Sequence, residues 1–197
     1  MARQVVLAST SRYRSALLDR LGIVYSSAAP NVDESPLAGE NPRDLAIRLS
    51  IAKARAVGKA FPDALVIGSD QAAEMEGRPI GKPGSKSAAI AQLRAMSGKT
   101  LVFHSGVALL NARNDTVQAL SVPTLVEFRV LDPAWIVAYT SREPAYDCAG
   151  SAKVEGLGIS LMQRVQSDDP TALIGLPLIA LTQMLADQGL HVLGARS

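Results

Sequence analysis

The sequence predicts an α/β protein. Short apolar runs with the length of buried strands alternate with longer segments that carry apolar residues at helical spacing. The 197 residues are 48% hydrophobic, with a mean hydropathy of +0.16. A chain of this length and composition can bury a substantial core, as one domain or as two lobes that share a cleft. No repeat or low-complexity segment interrupts the alternation.

The first third of the chain begins with a strand and a helix. Residues 4–7 are predicted to form a short buried strand, and residues 15–21 place apolar side chains on one helix face. The elements predicted after them are a strand at 24–28, an acidic, proline-bounded loop at 29–36, a long helix at 42–60 and a buried strand at 65–68.

The remainder continues in the same manner. Asp132 and Pro133 are typical of the N-cap and first position of a helix. The other predicted elements are a turn-rich loop at 78–84, a helix at 87–96, strands at 101–110 and 124–130, a polar turn at 112–115, a glycine-rich loop at 147–159 and a helix at 177–188.

Charge and cysteine content narrow the class of partner and the compartment. Twenty basic and 18 acidic residues leave a net charge of +2, and no basic run follows a nucleic-acid backbone. We therefore expect a small anionic ligand and no nucleic-acid polymer. The single cysteine, Cys148, fits a reducing compartment. The apolar run near the N-terminus is too short for a signal peptide or a membrane span, so we expect a cytoplasmic protein with no membrane partner.

The segment 8–18 joins the first strand to the first helix through hydroxyl and arginine side chains. Ser9 and Ser11 precede a helix whose N-terminal N–H groups and dipole attract anions. Arg14 adds a guanidinium that can bind phosphate in a bidentate manner. The segment is compatible with a phosphate site, although, taken alone, ordinary helix capping is the commoner explanation of the hydroxyls.

Four charged side chains are further candidates. Asp70 follows a buried strand, where ligands bind in open α/β sheets, but it also suits a turn or helix cap. Asp33 and Glu34 offer hard oxygen ligands for a divalent metal, or form a solvated acidic loop. Lys82, between a glycine and a proline, is either a rigid phosphate ligand or a surface turn lysine.

Taken together and in this order, the motifs resemble those of the Maf family of nucleoside triphosphate pyrophosphatases along nearly the whole chain. The branch that hydrolyses 7-methyl-GTP shows the greatest similarity around residues 148–155. The matching motifs are ASTSRYRSALL at 8–18, VDE at 32–34, KAR at 53–55, IGSDQ at 67–71, GKP at 81–83, SG at 97–98, AGSAKVEGLGI at 149–159 and ALIGLPL at 172–178.

The resemblance implies a single ITPase-like domain over residues 1–197, with a mixed sheet and two lobes around a central cleft. It implies hydrolysis of 7-methyl-GTP and related modified nucleotides to the monophosphate and pyrophosphate, assisted by Mg²⁺, Mn²⁺ or Co²⁺. The biological role implied is house-cleaning, which prevents incorporation of modified nucleotides. A homodimer is the default expectation for a small cytosolic enzyme.

The resemblance also assigns residue roles. Asp70 is the proton acceptor and, with Glu34, a metal ligand. Lys53 and Lys82 complete the catalytic set. Phosphate binding falls to Ser9, Ser11 and Arg14, and base preference to Tyr13, Gln71 and Glu155.

Two interactions explain the assignment of base preference: Tyr13 stacks on the cationic base, and Glu155 accepts hydrogen bonds from its N–H groups. The alternative interpretations are that Tyr13 packs in the helix and that Glu155 is a solvated loop residue. The family pattern has proline where this chain has Arg12, and arginine where it has Ser15.

Two other functions remain open. One is the same chemistry on dTTP or UTP, and the other is a non-enzymatic nucleotide-binding regulator of cell division. The joint presence of Asp70, Lys53 and Lys82 favours an enzyme, because binding alone requires no base that activates water.

Overall fold

Helices and strands alternate along the chain in the computed structural model, which describes residues 3–194. Residues 1–2 and 195–197, at the ends of the predicted 1–197 domain, lie outside the described residues. Within residues 3–194 the strands are β1 (Val5–Leu7), β2 (Ser26–Ser27), β3 (Leu65–Met75), β4 (Arg78–Ile80), β5 (Thr100–Asn111), β6 (Thr116–Phe128) and β7 (Met162–Ser167). The helices are α1 (Arg12–Asp19), α2 (Pro42–Gly58), α3 (Lys86–Met96), α4 (Pro133–Arg142) and α5 (Leu178–Asp187).

The described strands form one seven-stranded sheet in the order β2-β1-β3-β5-β6-β7, with β4 paired to β3. Strand β1 runs parallel to β2 and β3, whereas β4 is antiparallel to β3 and β7 is antiparallel to β6. The α/β class and the mixed sheet are therefore confirmed. The described residues divide into two compact units: the first holds those up to residue 71, residues 105–122 and those from residue 169 onward, and the second holds residues 72–104 and 123–168.

The first unit has an apolar core on each face of its sheet. Successive residues of a strand point to opposite faces, so Val5 and Leu7 belong to one core and Val6 to the other. Helices α1 and α5 supply leucines to the first core. Helix α2 covers the second face with Ala54 and Val57. These layers hold the end of β1 and the middle of β3 in fixed places.

Helix α2 lies directly on the backbone of the sheet. A Cβ at Gly68 of β3 would overlap the carbonyl oxygen of Ser50 and lie 2.9 Å from the amide nitrogen of Ala54. A Cβ at Gly106 of β5 would overlap the carbonyl oxygen of Ala46 in the same helix. Glycine is required at both positions because the helix backbone occupies the place of a side chain.

The second unit packs α3 against α4. Ser97, after α3, accepts a hydrogen bond from the N–H of Leu131 at 2.8 Å, just before α4 begins. Asp132 caps α4 through the N–H of Ala134, and Pro133 occupies its first turn, so the predicted start of this helix is confirmed. Gly150, with a φ of +73°, lies against the ring of Phe103.

Several predicted boundaries are wrong. Strand β3 continues from the predicted 65–68 through Met75, so Asp70 lies within a strand and does not follow one. Strand β6 begins at Thr116 and not at 124. Part of the predicted 78–84 loop forms β4. Helix α1 begins at Arg12, three residues before the prediction, because Ser11 caps it.

No helix within residues 3–194 is long and apolar enough to cross a membrane.

We expect Gly68→Ala to lower the free energy of unfolding by about 3 kcal/mol or more, at the upper end of overpacking effects, because the obstructing atoms belong to a helix backbone. Denaturant unfolding measures the change. Gly81→Ala is the control, since a Cβ there has no atom within 4 Å, and it should change stability by less than about 0.5 kcal/mol. Equal stability of the two variants would contradict the close approach.

Candidate functional site

A buried ion-pair cluster joins α2 to β3 in the first unit. The Nζ atom of Lys53 donates to Asp70 Oδ1 at 2.5 Å and lies 2.6 Å from Glu34 Oε1. The side chains of Lys53 and Asp70 are 6% and 12% exposed, whereas that of Glu34 is 50% exposed. Buried charges require partners, so the cluster satisfies the ammonium with two carboxylates. Three predicted site residues are thus brought together.

Ser9, Ser11 and Arg14 also come together, at the start of α1. Ser11 Oγ caps the helix by accepting the N–H of Arg14, and Ser11 N donates to Ser9 Oγ at 3.1 Å. The Nη1 atom of Arg14 lies 3.5 Å from the same Ser9 oxygen. Ser9 is buried. The segment is therefore a helix N-terminus with a guanidinium folded back over it.

Within the part of the chain that the structure describes, Arg14 donates hydrogen bonds to neutral acceptors. Its Nε donates to the carbonyl oxygen of Gly175 at 2.9 Å, and among the residues that the structure describes no carboxylate lies within 4.0 Å of it. Burial lowers the pKa of the guanidinium, while the charges of Asp70 and Glu34 raise it. A partly buried cation without a carboxylate partner is suited to bind an anion.

The turn that carries Gly175 also holds β3. Ser69 Oγ lies 2.8 Å from the carbonyl oxygen of Gly175 and 2.7 Å from that of Gly106. Gly175 has a φ of +123°, which a residue with a side chain rarely adopts. Because the same carbonyl accepts from Arg14 and Ser69, the turn ties the guanidinium to the residue before Asp70.

Gln71 binds the same turn by its side-chain amide. Its Nε2 atom lies 2.9 Å from Ser105 Oγ, 3.2 Å from the carbonyl oxygen of Ala172 and 3.0 Å from that of Leu173. Ser105 Oγ donates to the Ala172 carbonyl at 2.6 Å. The amide nitrogen of this predicted specificity residue is therefore engaged by the protein.

Tyr13 lies on α1 beside Arg12. The Arg12 guanidinium stacks over the tyrosine ring with its carbon 4.8 Å from the centroid, and Nη2 donates to the phenol oxygen at 2.8 Å. The arginine that departs from the family pattern thus contacts the residue predicted to stack on the base.

Lys82 and Glu155 belong to the second unit. Both side chains are exposed. Lys82 lies in the loop after β4, where Gly81 O accepts from Gln92 Nε2 at 3.0 Å and Gly84 N donates to Tyr146 O. The roles assigned to Lys82 and Glu155 stay predictions.

The carboxylates of Glu34 and Asp70 were predicted to hold a metal. Within residues 3–194 no group of three or more acidic, histidine or cysteine side chains is placed to bind one. Two carboxylates that converge on one point do fit a hard divalent cation that takes its other ligands from phosphate oxygens and water. Such a cation would compete with the Lys53 ammonium.

Sequence reasoning did not single out Ser69, Ser105 or Asp169. Asp169 is 2% exposed, and its carboxylate accepts the N–H and hydroxyl of Thr171 at 2.9 and 2.6 Å and the N–H of Ile179 at 2.7 Å. It thereby fixes both ends of the turn around Gly175. The signal that could have identified it is an acidic residue placed just before the ALIGLPL motif.

These features define an α/β protein with a guanidinium suited to anion binding beside a buried lysine–carboxylate cluster. The chain belongs to the Maf family, since the family model described as "Maf-like protein" matches residues 4–188.

Relatives match over nearly their whole length. The 7-methyl-GTP pyrophosphatase of Thiobacillus denitrificans is 55% identical over 189 residues, covering 96% of this chain and 94% of the relative. The protein of the same name from Aromatoleum aromaticum is 54% identical, covering 95% of this chain and 96% of the relative. The one from Bordetella avium is also 54% identical and covers 98% of both chains. The solved structure of the Staphylococcus aureus Ham1 protein matches with a TM-score of 0.46 and 18% identity, over 64% of this chain and 72% of that one.

We expect inorganic pyrophosphate to raise the melting temperature of the wild type and to leave that of Arg14→Met unchanged. The reason is that a ligand stabilises only the protein that binds it. Arg55→Met is the control, since Arg55 pairs with Asp115 on the surface and should keep the shift. Thermal unfolding with and without pyrophosphate measures it. A full shift in Arg14→Met would show that Arg14 is not an anion ligand.

Proposed function

We propose that this protein hydrolyses 7-methyl-GTP to 7-methyl-GMP and pyrophosphate. The observation that carries the proposal is the Arg14 guanidinium, which has no carboxylate partner among the described residues although Asp70 and Lys53 form an ion pair in the same unit. The relatives named 7-methyl-GTP pyrophosphatase, which are more than half identical to this chain, support the choice of substrate.

The triphosphate binds at the start of α1. Arg14 supplies two N–H directions to phosphate oxygens, and the N-terminal N–H groups of the helix supply a partial positive charge. Ser9 and Ser11 orient the guanidinium and the loop. Lys82 adds a second cation for the phosphates. Charge that develops on the leaving pyrophosphate is thereby stabilised.

Asp70 accepts the proton of the attacking water. Its carboxylate is held by the Lys53 ammonium and by its place inside β3, so its position does not depend on a mobile loop. Positioning of this kind is what makes a carboxylate effective as a general base. Lys53 serves as the residue that orients Asp70.

Glu34 and Asp70 would hold a divalent cation, Mg²⁺, Mn²⁺ or Co²⁺. When bound, such a cation neutralises phosphate charge and makes the attacking water more acidic. Glu34 is the more exposed of the two carboxylates and is therefore the side chain that can move to meet an incoming cation with its nucleotide.

Tyr13, Gln71 and Glu155 select the base. The ring of Tyr13 attracts the positive charge of 7-methylguanine. Glu155, which is exposed on its loop, accepts the N–H donors of the guanine edge. Gln71 acts by fixing the carbonyl groups of residues 172 and 173.

The cellular role that follows is removal of a methylated nucleotide before a polymerase can incorporate it. The nucleotide is the partner that this role requires. We propose that the enzyme acts in the cytoplasm. We expect a homodimer, because this is the commonest assembly of small soluble enzymes.

Asp70→Asn should lower turnover by roughly 10²–10⁴-fold, the usual contribution of a positioned general base, and should leave the pyrophosphate-induced melting shift in place. Steady-state release of pyrophosphate measures turnover. Asp63→Asn is the matched control, because Asp63 is an exposed acid of the same unit that pairs with Arg113 on the surface. Near-normal turnover in Asp70→Asn would remove Asp70 from the mechanism.

The proposed substrate is tested by comparing kcat/KM for 7-methyl-GTP, GTP, dTTP and UTP. The wild type should prefer 7-methyl-GTP and should lose activity in excess EDTA. Glu155→Ala should erode the preference by about 1–3 kcal/mol, the penalty for losing a hydrogen-bond acceptor. Glu127→Ala, which removes an acid paired with Arg164 in the same unit, should not erode it. A preference for dTTP or UTP would show that the protein catalyses the same reaction on a different nucleotide. Absence of any hydrolysis would favour a nucleotide-binding regulator.

A further inference from the structure

The loop that carries Glu155 is attached to α4 on both sides of that residue. The N–H of Lys153 donates to the phenol oxygen of Tyr139 at 3.3 Å. The N–H of Gly158 donates to Glu143 Oε2 at 3.1 Å. Tyr139 lies in α4, and Glu143 is the C-cap residue of the same helix. Both ends of the segment 153–158 are thus hydrogen-bonded to one rigid element.

The two anchoring side chains lie one turn apart on α4 and therefore share one side of that helix. Burial raises the pKa of Tyr139, and the negative charge of Glu143 raises it further, so the phenol keeps its proton. The phenol oxygen and the carboxylate each accept one backbone N–H of the segment.

Gly156, next to Glu155, is pressed against the same carboxylate. A Cβ at Gly156 would overlap Glu143 Oε1 and lie 2.8 Å from its carboxyl carbon. The φ of Gly156 is −128°, which any residue can adopt, so glycine is needed here for space alone. At Gly158 a Cβ would lie 2.5 Å from the nitrogen and the oxygen of Lys153, so the two ends of the segment touch.

We propose that Tyr139 and Glu143 are positioning residues for base selection, which act by fixing the segment 153–158 and with it the backbone of Glu155. The proposal rests on the proposed function, in which Glu155 accepts the guanine edge. Neither residue touches the nucleotide. Because a displacement of about 1 Å at a recognition group can change a rate about 100-fold, loss of the attachment alters base preference while phosphate binding in the first unit is unchanged.

The experiment uses the full chain and four variants: Glu143→Ala, Gly156→Ala, the double variant and Tyr139→Phe. Base preference is the ratio of kcat/KM values for 7-methyl-GTP and dTTP. Each single variant should reduce this ratio by about ten-fold, with the pyrophosphate-induced melting shift kept. Backbone N–H exchange at Lys153 and Gly158 should become faster in Glu143→Ala and Tyr139→Phe.

The double variant distinguishes positioning from general damage. Since Glu143→Ala removes the carboxylate that a methyl group at Gly156 would meet, adding Gly156→Ala to it should cause no further loss of the ratio. Additive losses would overturn the proposal. The proposal would also be overturned if Glu143→Ala kept the wild-type ratio. The same holds if the variants lost both the base preference and the pyrophosphate-induced melting shift. Glu127→Ala is the control and should match the wild type in every measurement.

The two proposals fail in different ways. If the wild type prefers dTTP or UTP, the proposed substrate is wrong, and the positioning role is supported when the variants reduce that preference instead. If 7-methyl-GTP is preferred and Glu155→Ala erodes the preference but Glu143→Ala does not, the proposed function stands and the positioning role is wrong. A wild type without any base preference contradicts both.

Discussion

The structure of the first unit depends on how closely α2 approaches the sheet. The absence of side chains at Gly68 and Gly106 lets the helix backbone lie against two neighbouring strands. Lys53 lies three residues after Ser50 in α2, and Asp70 lies two residues after Gly68 in β3. Contact between the helix and Gly68 therefore sets the lysine beside the aspartate. A larger residue at Gly68 would separate the strand from the helix and the ammonium from its carboxylate. Packing and chemistry are therefore parts of one constraint.

A second constraint is the turn at residues 172–175, whose carbonyl groups face side chains from three other segments. It accepts hydrogen bonds from Arg14 near the N-terminus, from Ser69 and Gln71 of β3 and from Ser105 of β5. Its own shape comes from the buried carboxylate of Asp169. Backbone carbonyl oxygens are hydrogen-bond acceptors. The side chains that converge on this turn therefore contact it through N–H and O–H groups. The phosphate and base groups assigned to Arg14 and Gln71 thus share one support.

Local signals in the sequence were sufficient for the α/β class, for the start of α4 at Asp132 and for the grouping of Ser9 with Arg14. They were insufficient where pairing across the sheet decides the outcome. Strand β3 extends to Met75, where β4 pairs with its last residues, although residues 69–71 are polar and resemble a loop. Arg12 stacks on Tyr13, and Glu143 meets Gly156 from thirteen positions away. Such contacts are long-range or depend on helix geometry, and no single-sequence pattern encodes them.

The charges of the first unit are divided between two tasks. Lys53 is paired with both Asp70 and Glu34, so it compensates fixed charge, whereas Arg14 donates to neutral oxygens. A phosphate that approaches would find Arg14 ready to bind, but it would also meet the field of two carboxylates. A divalent cation held by Asp70 and Glu34 would reduce this repulsion and replace part of the compensation that Lys53 supplies. The division of charge between Arg14 and the lysine–carboxylate cluster would therefore suit a nucleotide bound together with a divalent cation.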